Sequence, residues 1–137
     1  MNTDKFELTH EFPVSSGRVY RAWLSSDEHS AFTGGEASIE NIEGSTYTAW
    51  DEYIDGEILE LEPGKRILQT WKATDFPSKA EYSFLELLFE DIEGGCKLTL
   101  YHWNIPEGLG KSYEKGWVEH YFTPMTAYFE KLGKNID

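Results

Sequence analysis

From residue 36 to residue 103 apolar and polar positions alternate with a period of two, and turn residues punctuate the run at Gly44, Asp55 and Gly56, Pro63 to Lys65, and Glu93 to Gly95. The pattern predicts strands at 37–42, 45–50, 54–62, 66–73, 81–90 and 97–103. Connections this short favour antiparallel neighbours, because parallel ones need long crossovers. In 81–90, Ser83, Leu85, Leu87 and Phe89 share one face; in 97–103, Leu98, Leu100 and His102 do, following Cys96. Acidic residues mark the outer faces, so these sets are expected to meet in a common interior. "DKFELTHEFPV" also alternates, with Phe6, Leu8 and His10 opposite Lys5, Glu7 and Glu11, which makes seven strands.

Two stretches change to helical spacing. In "SSGRVYRAWLSSDEHSAFTGG", Val19, Tyr20, Trp23 and Leu24 share a face, Ser25 with Glu28 reads as a capping box, and Gly34 with Gly35 ends a second short helix. The second stretch, 111–132, is aromatic over half its circumference. At about 100° per residue, Tyr113, Trp117, Val118, Tyr121, Phe122, Met125, Tyr128, Phe129 and Leu132 fill one arc. Flanking a core needs only a little over ~100°, so this helix is expected to be enclosed by a curved sheet. Pro124 lies inside it and is expected to kink it. Glu114 interrupts the arc, in what is expected to be the first turn, where the helix dipole favours a carboxylate.

The chain of 137 residues, with five Trp, eight Tyr and eight Phe, is sized for one domain, 1–137. A formal charge of -13 without a basic stripe argues against nucleic acid as partner. The series Glu52, Asp55, Glu57, Glu60 and Glu62 reads as a solvated strand face. A lone cysteine, Cys96, forms no internal disulfide and offers no CxxC spacing, which fits a reducing cytoplasm. Neither a signal peptide nor a membrane span is predicted.

The order strand, two short helices, six-stranded meander and long helix resembles the helix-grip fold of the START-like (SRPBCC) superfamily, an α+β class. Within it, "VYRAWLSSDEHSAFTGG", "WDEYIDGEILELEPGKRILQTWK", "SFLELLFED", "LTLYHWNIP" and "KGWVEHYF" resemble the family of activators of the 90-kDa heat-shock chaperone ATPase, specifically the C-terminal domain of its eukaryotic co-chaperone. The resemblance implies a cavity between the sheet and the C-terminal helix, which in various members holds lipids, hormones, polyketides or aromatic substrates. It also implies a chaperone as an alternative partner, although the co-chaperone carries a separate N-terminal chaperone-binding domain for which 137 residues leave no room.

Catalytic spacings such as HExxH, GxSxG and GxxxxGK[ST] are missing, and no cofactor is expected. Of the four histidines, His29 and His120 read as surface residues. His10 and His102 fall on inner faces, where a histidine is more often a hydrogen-bonded core residue than a ligand or base. His102 is nonetheless the candidate for a polar group in the cavity, able to orient a ligand oxygen or carry a proton. Tyr113, Trp117, Tyr121, Met125 and Tyr128 are either core or cavity lining. The expected ligand-binding set is Trp71, Leu85, Leu87, Leu98, Leu100, His102, Trp117, Tyr121, Met125 and Tyr128. Binding of an apolar or aromatic small molecule ranks first, a protein-interaction or co-chaperone-like module second, and an acid–base enzyme built on His102 third, since no second catalytic group pairs with it.

Overall fold

The alternating segments form one antiparallel sheet in a computed structural model that describes residues 2–135. Its strands are β1 (Thr3–Phe12), β2 (Thr46–Ala49), β3 (Ile54–Glu62), β4 (Arg66–Ala73), β5 (Ser83–Ile92) and β6 (Gly95–Pro106). They lie in the order β1-β6-β5-β4-β3-β2, a meander whose last strand returns beside the first. Two short helices, α1 (Ser16–Trp23) and α2 (Ser26–Thr33), follow β1, and a long helix follows β6. This is the expected helix-grip arrangement, with six strands in place of seven.

The missing strand is 37–42. Only Ser38 pairs, bridging Thr48, because α2 captures the neighbouring backbone groups. The Ala37 N–H donates to Ser30 Oγ at 2.9 Å, the Ile39 N–H donates to Ser26 Oγ at 2.9 Å, and the Ser26 hydroxyl donates to the Ile39 carbonyl at 3.0 Å. Serines four apart share one helix face, so α2 replaces a strand edge. The capping box on α2 is half formed. Glu28 N–H donates to Ser25 Oγ at 3.2 Å as expected, but the Glu28 carboxylate accepts from Arg18 Nη1 at 3.0 Å and from the Tyr128 hydroxyl at 2.7 Å. Gly34 ends α2 in the left-handed conformation, φ 83°.

Period two holds along β6 as far as His102, with Cys96, Leu98, Leu100 and His102 all buried. The register with β1 then shifts: Phe6 pairs with His102 and Asp4 with Ile105, which leaves one extra residue on β6. Asn104, at φ 61°, makes the bulge. Because the bulge follows His102, that ring stays inside, and Ile105 is turned inward as well.

The C-terminal helix comprises α3 (Gly110–Trp117), a π-helical turn (Val118–Phe122) and α4 (Thr123–Asn135). Leu109 supplies no side-chain cap. Asp4 of β1 does so from across the fold, its Oδ2 accepting from the N–H groups of Gly108 at 2.9 Å and Gly110 at 2.8 Å. With the helix starting at Gly110, Glu114 falls beyond its first turn. Pro124 does not interrupt the helix; the disturbance is taken up one turn earlier, where the Thr123 N–H bonds to the Val118 carbonyl five residues back. The π turn also re-aims the buried face. In a regular helix Trp117, Tyr121, Met125 and Phe129 would drift by about 120° over three four-residue steps, and the extra residue in the π turn offsets most of that rotation. All four are buried, whereas Val118, expected on the arc, is 43% exposed.

Removing the serine that stands in for a strand edge tests this account of residues 37–42. Ser26→Ala leaves the Ile39 N–H and C=O without that partner and is expected to cost about 1–3 kcal/mol, read as a lowered denaturation midpoint with unchanged slope.

Candidate functional site

Where α3 and the π turn pass the end of the sheet, they leave a cleft of about 540 Å³, within the size range of small-molecule sites. Trp50 and Tyr53 line it from the β2–β3 connection, Ile54 from the start of β3, Trp71 from β4, and Tyr113, Gly116, Trp117 and Tyr121 from the helix. Ser112, Lys115, Glu119 and His120 are its polar lining. Lys115 and Glu119 face each other at 3.7 Å and are both exposed, a pairing worth little in water.

Trp50 is held over the cleft by an unusual turn. Trp50, Asp51 and Glu52 are consecutively left-handed, at φ 55°, 57° and 72°, and none is glycine. Each such residue costs roughly 1–2 kcal/mol. Asp51 recovers part of this by accepting the Glu36 N–H at 2.9 Å, and the Tyr53 N–H closes the turn on the Trp50 carbonyl at 3.0 Å. The Trp50 ring stands edge-on to Tyr121 and His120, with centroids 6.0 Å apart in each case.

Behind the cleft wall lies a chain of hydrogen bonds centred on His102, which is fully buried. Trp117 Nε1 lies 3.1 Å from His102 Nδ1; Ser83 Oγ lies 2.8 Å from His102 Nε2 and 2.7 Å from the Trp71 carbonyl. An indole N–H only donates and a backbone carbonyl only accepts, so the directions are determined. Trp117 donates to Nδ1, Nε2–H donates to Ser83, and the Ser83 hydroxyl donates to Trp71. The imidazole is therefore neutral with both nitrogens committed, and burial pushes its pKa down to about 3. It fixes the positions of Trp71 and Trp117, two walls of the cleft, and has no free nitrogen for a ligand oxygen or a mobile proton.

A second buried histidine does the same for Tyr121. His29, expected at the surface, is 2% exposed, because α2 turns its face inward onto the C-terminal helix. Its Nδ1–H donates to the Trp23 carbonyl at 2.9 Å, so Nε2 accepts from the Tyr121 hydroxyl at 2.9 Å. Burial lowers its pKa to about 4. At the opposite edge of the cleft, the hydroxyls of Tyr53 and Tyr113 donate to the same Asp75 oxygen, at 2.9 and 2.8 Å. His10 is half-buried, stacked on Phe122 at 4.9 Å and bonded to Thr126 Oγ1 at 2.7 Å.

Of the ten residues expected to contact a ligand, the structure brings Trp71, Trp117 and Tyr121 to the cleft. Leu85, Leu87, Leu98, Leu100 and Met125 are sealed in the core at 1% exposure or less. His102 lies one layer behind the wall, and the half-buried Tyr128 is tied to Glu28 of α2. Trp50, Tyr53 and Tyr113 complete the cleft. Tyr113 carried a periodic signal as part of the aromatic arc, and Trp50 as the last residue of the strand expected at 45–50; that strand ends at Ala49, so Trp50 and Tyr53 lie in the turn after it. Among the described residues, no group of three or more His, Cys, Asp or Glu side chains could hold a metal ion, and no helix is long and apolar enough to cross a membrane.

The two buried histidines make stability depend on pH. Both are neutral in the fold down to about pH 4, whereas the unfolded chain binds protons on each near 6.5. The unfolded state thus holds more protons below pH 6.5, and stability falls as pH drops, by up to about 2.7 kcal/mol per pH unit from the pair. Above pH 7 the effect vanishes. His102→Gln can keep both hydrogen bonds without titrating; denaturant unfolding between pH 6.5 and 5 should show this slope roughly halved, and an unchanged slope would contradict the assignment. The strained turn gives a further expectation. Glu52→Gly should raise the melting temperature, gaining about 0.5–1 kcal/mol, because relief of the left-handed strain exceeds the entropic cost of glycine.

Comparison with known proteins agrees with this architecture. The chain is 28% identical over 127 residues to the human activator of 90 kDa heat shock protein ATPase homolog 1, covering 93% of this chain and 37% of that protein. It therefore spans under half the length of the curated relatives it matches. Among solved structures, an HSP90 activator from Plasmodium falciparum superposes with a TM-score of 0.77 at 25% identity, over 87% of this chain and 90% of that one. DynU16, from the dynemicin biosynthetic locus, gives 0.77 at 17% identity over 93% and 47%, a likeness of fold alone. Residues 13–130 match the family described as "Activator of Hsp90 ATPase homolog 1-like protein", and the chain belongs to that family.

Proposed function

We propose that the protein binds an apolar or aromatic small molecule in the cleft between the C-terminal helix and the β2–β3 connection. The observation that carries this reading is the cleft itself: about 540 Å³ of space walled by Trp50, Tyr53, Trp71, Tyr113, Trp117 and Tyr121. The π turn supports the reading too. Val118–Phe122 contributes Glu119, His120 and Tyr121 to the lining, and such turns occur often at functional sites.

A second reading, an accessory to the 90-kDa heat-shock chaperone, is favoured by the HSP90 activator that this chain superposes on, over 90% of that crystallised chain. The outer face of the sheet offers a surface for it. There Phe84 stacks on Trp103 at 5.5 Å, among the half-buried Leu68, Leu88 and Tyr101.

Gly116 separates binding from mere packing. A Cβ placed there meets only the edge of the His120 ring, at 3.9 Å, so Gly116→Trp adds a side chain in open space at a position that lines the cleft. Helix propensity favours the change by up to ~0.5 kcal/mol. The expected outcome is an unchanged or slightly raised melting temperature together with loss of binding of an uncharged naphthalene fluorophore, titrated by calorimetry. A fluorophore that binds both proteins equally, or neither, overturns the small-molecule reading. Stimulation of the chaperone ATPase that survives Gly116→Trp and disappears in Trp103→Ala would favour the second.

A further inference from the structure

We infer that the cleft prefers organic cations, an alkyl- or arylammonium group on an apolar body, over neutral and anionic compounds of the same shape; this rests on the cleft being the binding site. The first ground is what the walls withhold. Trp117 Nε1–H is spent on His102, the Tyr121 hydroxyl on His29, and the hydroxyls of Tyr53 and Tyr113 on Asp75. Four of the six wall rings thus have no polar hydrogen left for an anion, whose binding depends on such donors.

The second ground is what the walls offer instead. A ring whose polar hydrogen is spent elsewhere has only hydrocarbon and π surface left to offer, and a π face attracts a cation. Trp117 and Tyr121 lie closest to parallel, at 32°, but the rings do not form one flat stack: Trp71 meets Tyr113 at 74° and Trp117 at 43°, and Trp50 meets Tyr121 at 90°. Rings at such angles wall a space on several sides, the arrangement that suits a rounded ammonium group. Two of them donate to a carboxylate, and a phenol bonded in this way keeps an electron-rich ring.

The third ground is charge. Asp75 stands one phenol's length from the cleft at two places, Glu119 lines it, and Asp51 and Glu52 belong to the turn that holds Trp50. Among the described residues, Lys115 is the one lysine or arginine in the lining, and it faces Glu119. The chain as a whole carries a formal charge of -13, which attracts cations towards the opening and repels anions.

Three naphthalenes test this, bearing at the 2-position a trimethylammonium, a tert-butyl group of the same shape, or a sulfonate. Their affinities for the whole protein are measured by calorimetry at low and high salt. The expected result is that the ammonium compound binds roughly five- to tenfold tighter than the tert-butyl compound, with the advantage shrinking as salt rises and the sulfonate binding weakest. Asp75→Asn keeps an acceptor for both tyrosines while removing the charge and should cut the advantage about twofold. Trp50→Leu should reduce ammonium binding more than tert-butyl binding, with thermal melts confirming that both variants fold. Equal affinity for the ammonium and tert-butyl compounds, or tightest binding of the sulfonate, overturns the cation preference and leaves the cleft as an apolar site. No binding of any of the three overturns the cleft as a binding site and the preference with it.

Discussion

Between the C-terminal helix and the sheet, large aromatic rings are buried together with the polar atoms they carry, and each such atom needs a partner inside the protein. Two histidines meet much of that requirement. His102 accepts from Trp117 and donates through Ser83 to the Trp71 carbonyl; His29 accepts from Tyr121 and donates to the Trp23 carbonyl. An imidazole suits the task because, when neutral, it is donor and acceptor at once. The same bonds that satisfy the interior lock Trp71, Trp117 and Tyr121 in place, so the shape of the cleft follows from how the core behind it is made neutral.

The π turn connects backbone to site in a similar way. Pro124 lacks the N–H that a regular helix would direct to the carbonyl four residues earlier, and the chain widens one turn ahead of it. That widening keeps Trp117, Tyr121, Met125 and Phe129 buried together and turns Val118 out to solvent. It also brings Glu119 and His120 to the cleft beside Tyr121. One missing hydrogen-bond donor thus shapes both the buried face of the helix and the lining of the opening.

Family membership and cleft bear on function with different weight. The same order of elements recurs in an HSP90 activator and, as a likeness of fold alone, in a protein from a biosynthetic locus, and a shared fold does not carry an activity with it. The local evidence is the set of rings at the helix, the strained Trp50–Glu52 turn that suspends one of them, and the carboxylate that takes two tyrosine hydroxyls. Strain in a loop without glycine is costly, and here it holds a ring over the opening.

Local spacing by itself determined much of this protein. Period two located β3 and β4 to the residue and put Leu98, Leu100 and His102 on one buried face, and the aromatic arc of 111–132 required a sheet to enclose it. These are properties of neighbours along the chain, which fixed backbone geometry converts directly into faces. What depended on partners distant in sequence stayed hidden. Residues 37–42 alternate like a strand, yet their hydrogen bonds go to serines of α2. The long helix has no cap of its own and takes Asp4 from more than a hundred residues away. His29 sits in a short, polar helix, and the partner that completes its burial, Tyr121, comes from 92 residues on. The division between core and cleft along the aromatic arc belongs to the same class. Trp117 and Met125 have the same period, and the path of the β2–β3 turn, with Trp50 and Tyr53 on it, decides which side chain lines the cleft and which is sealed in the core.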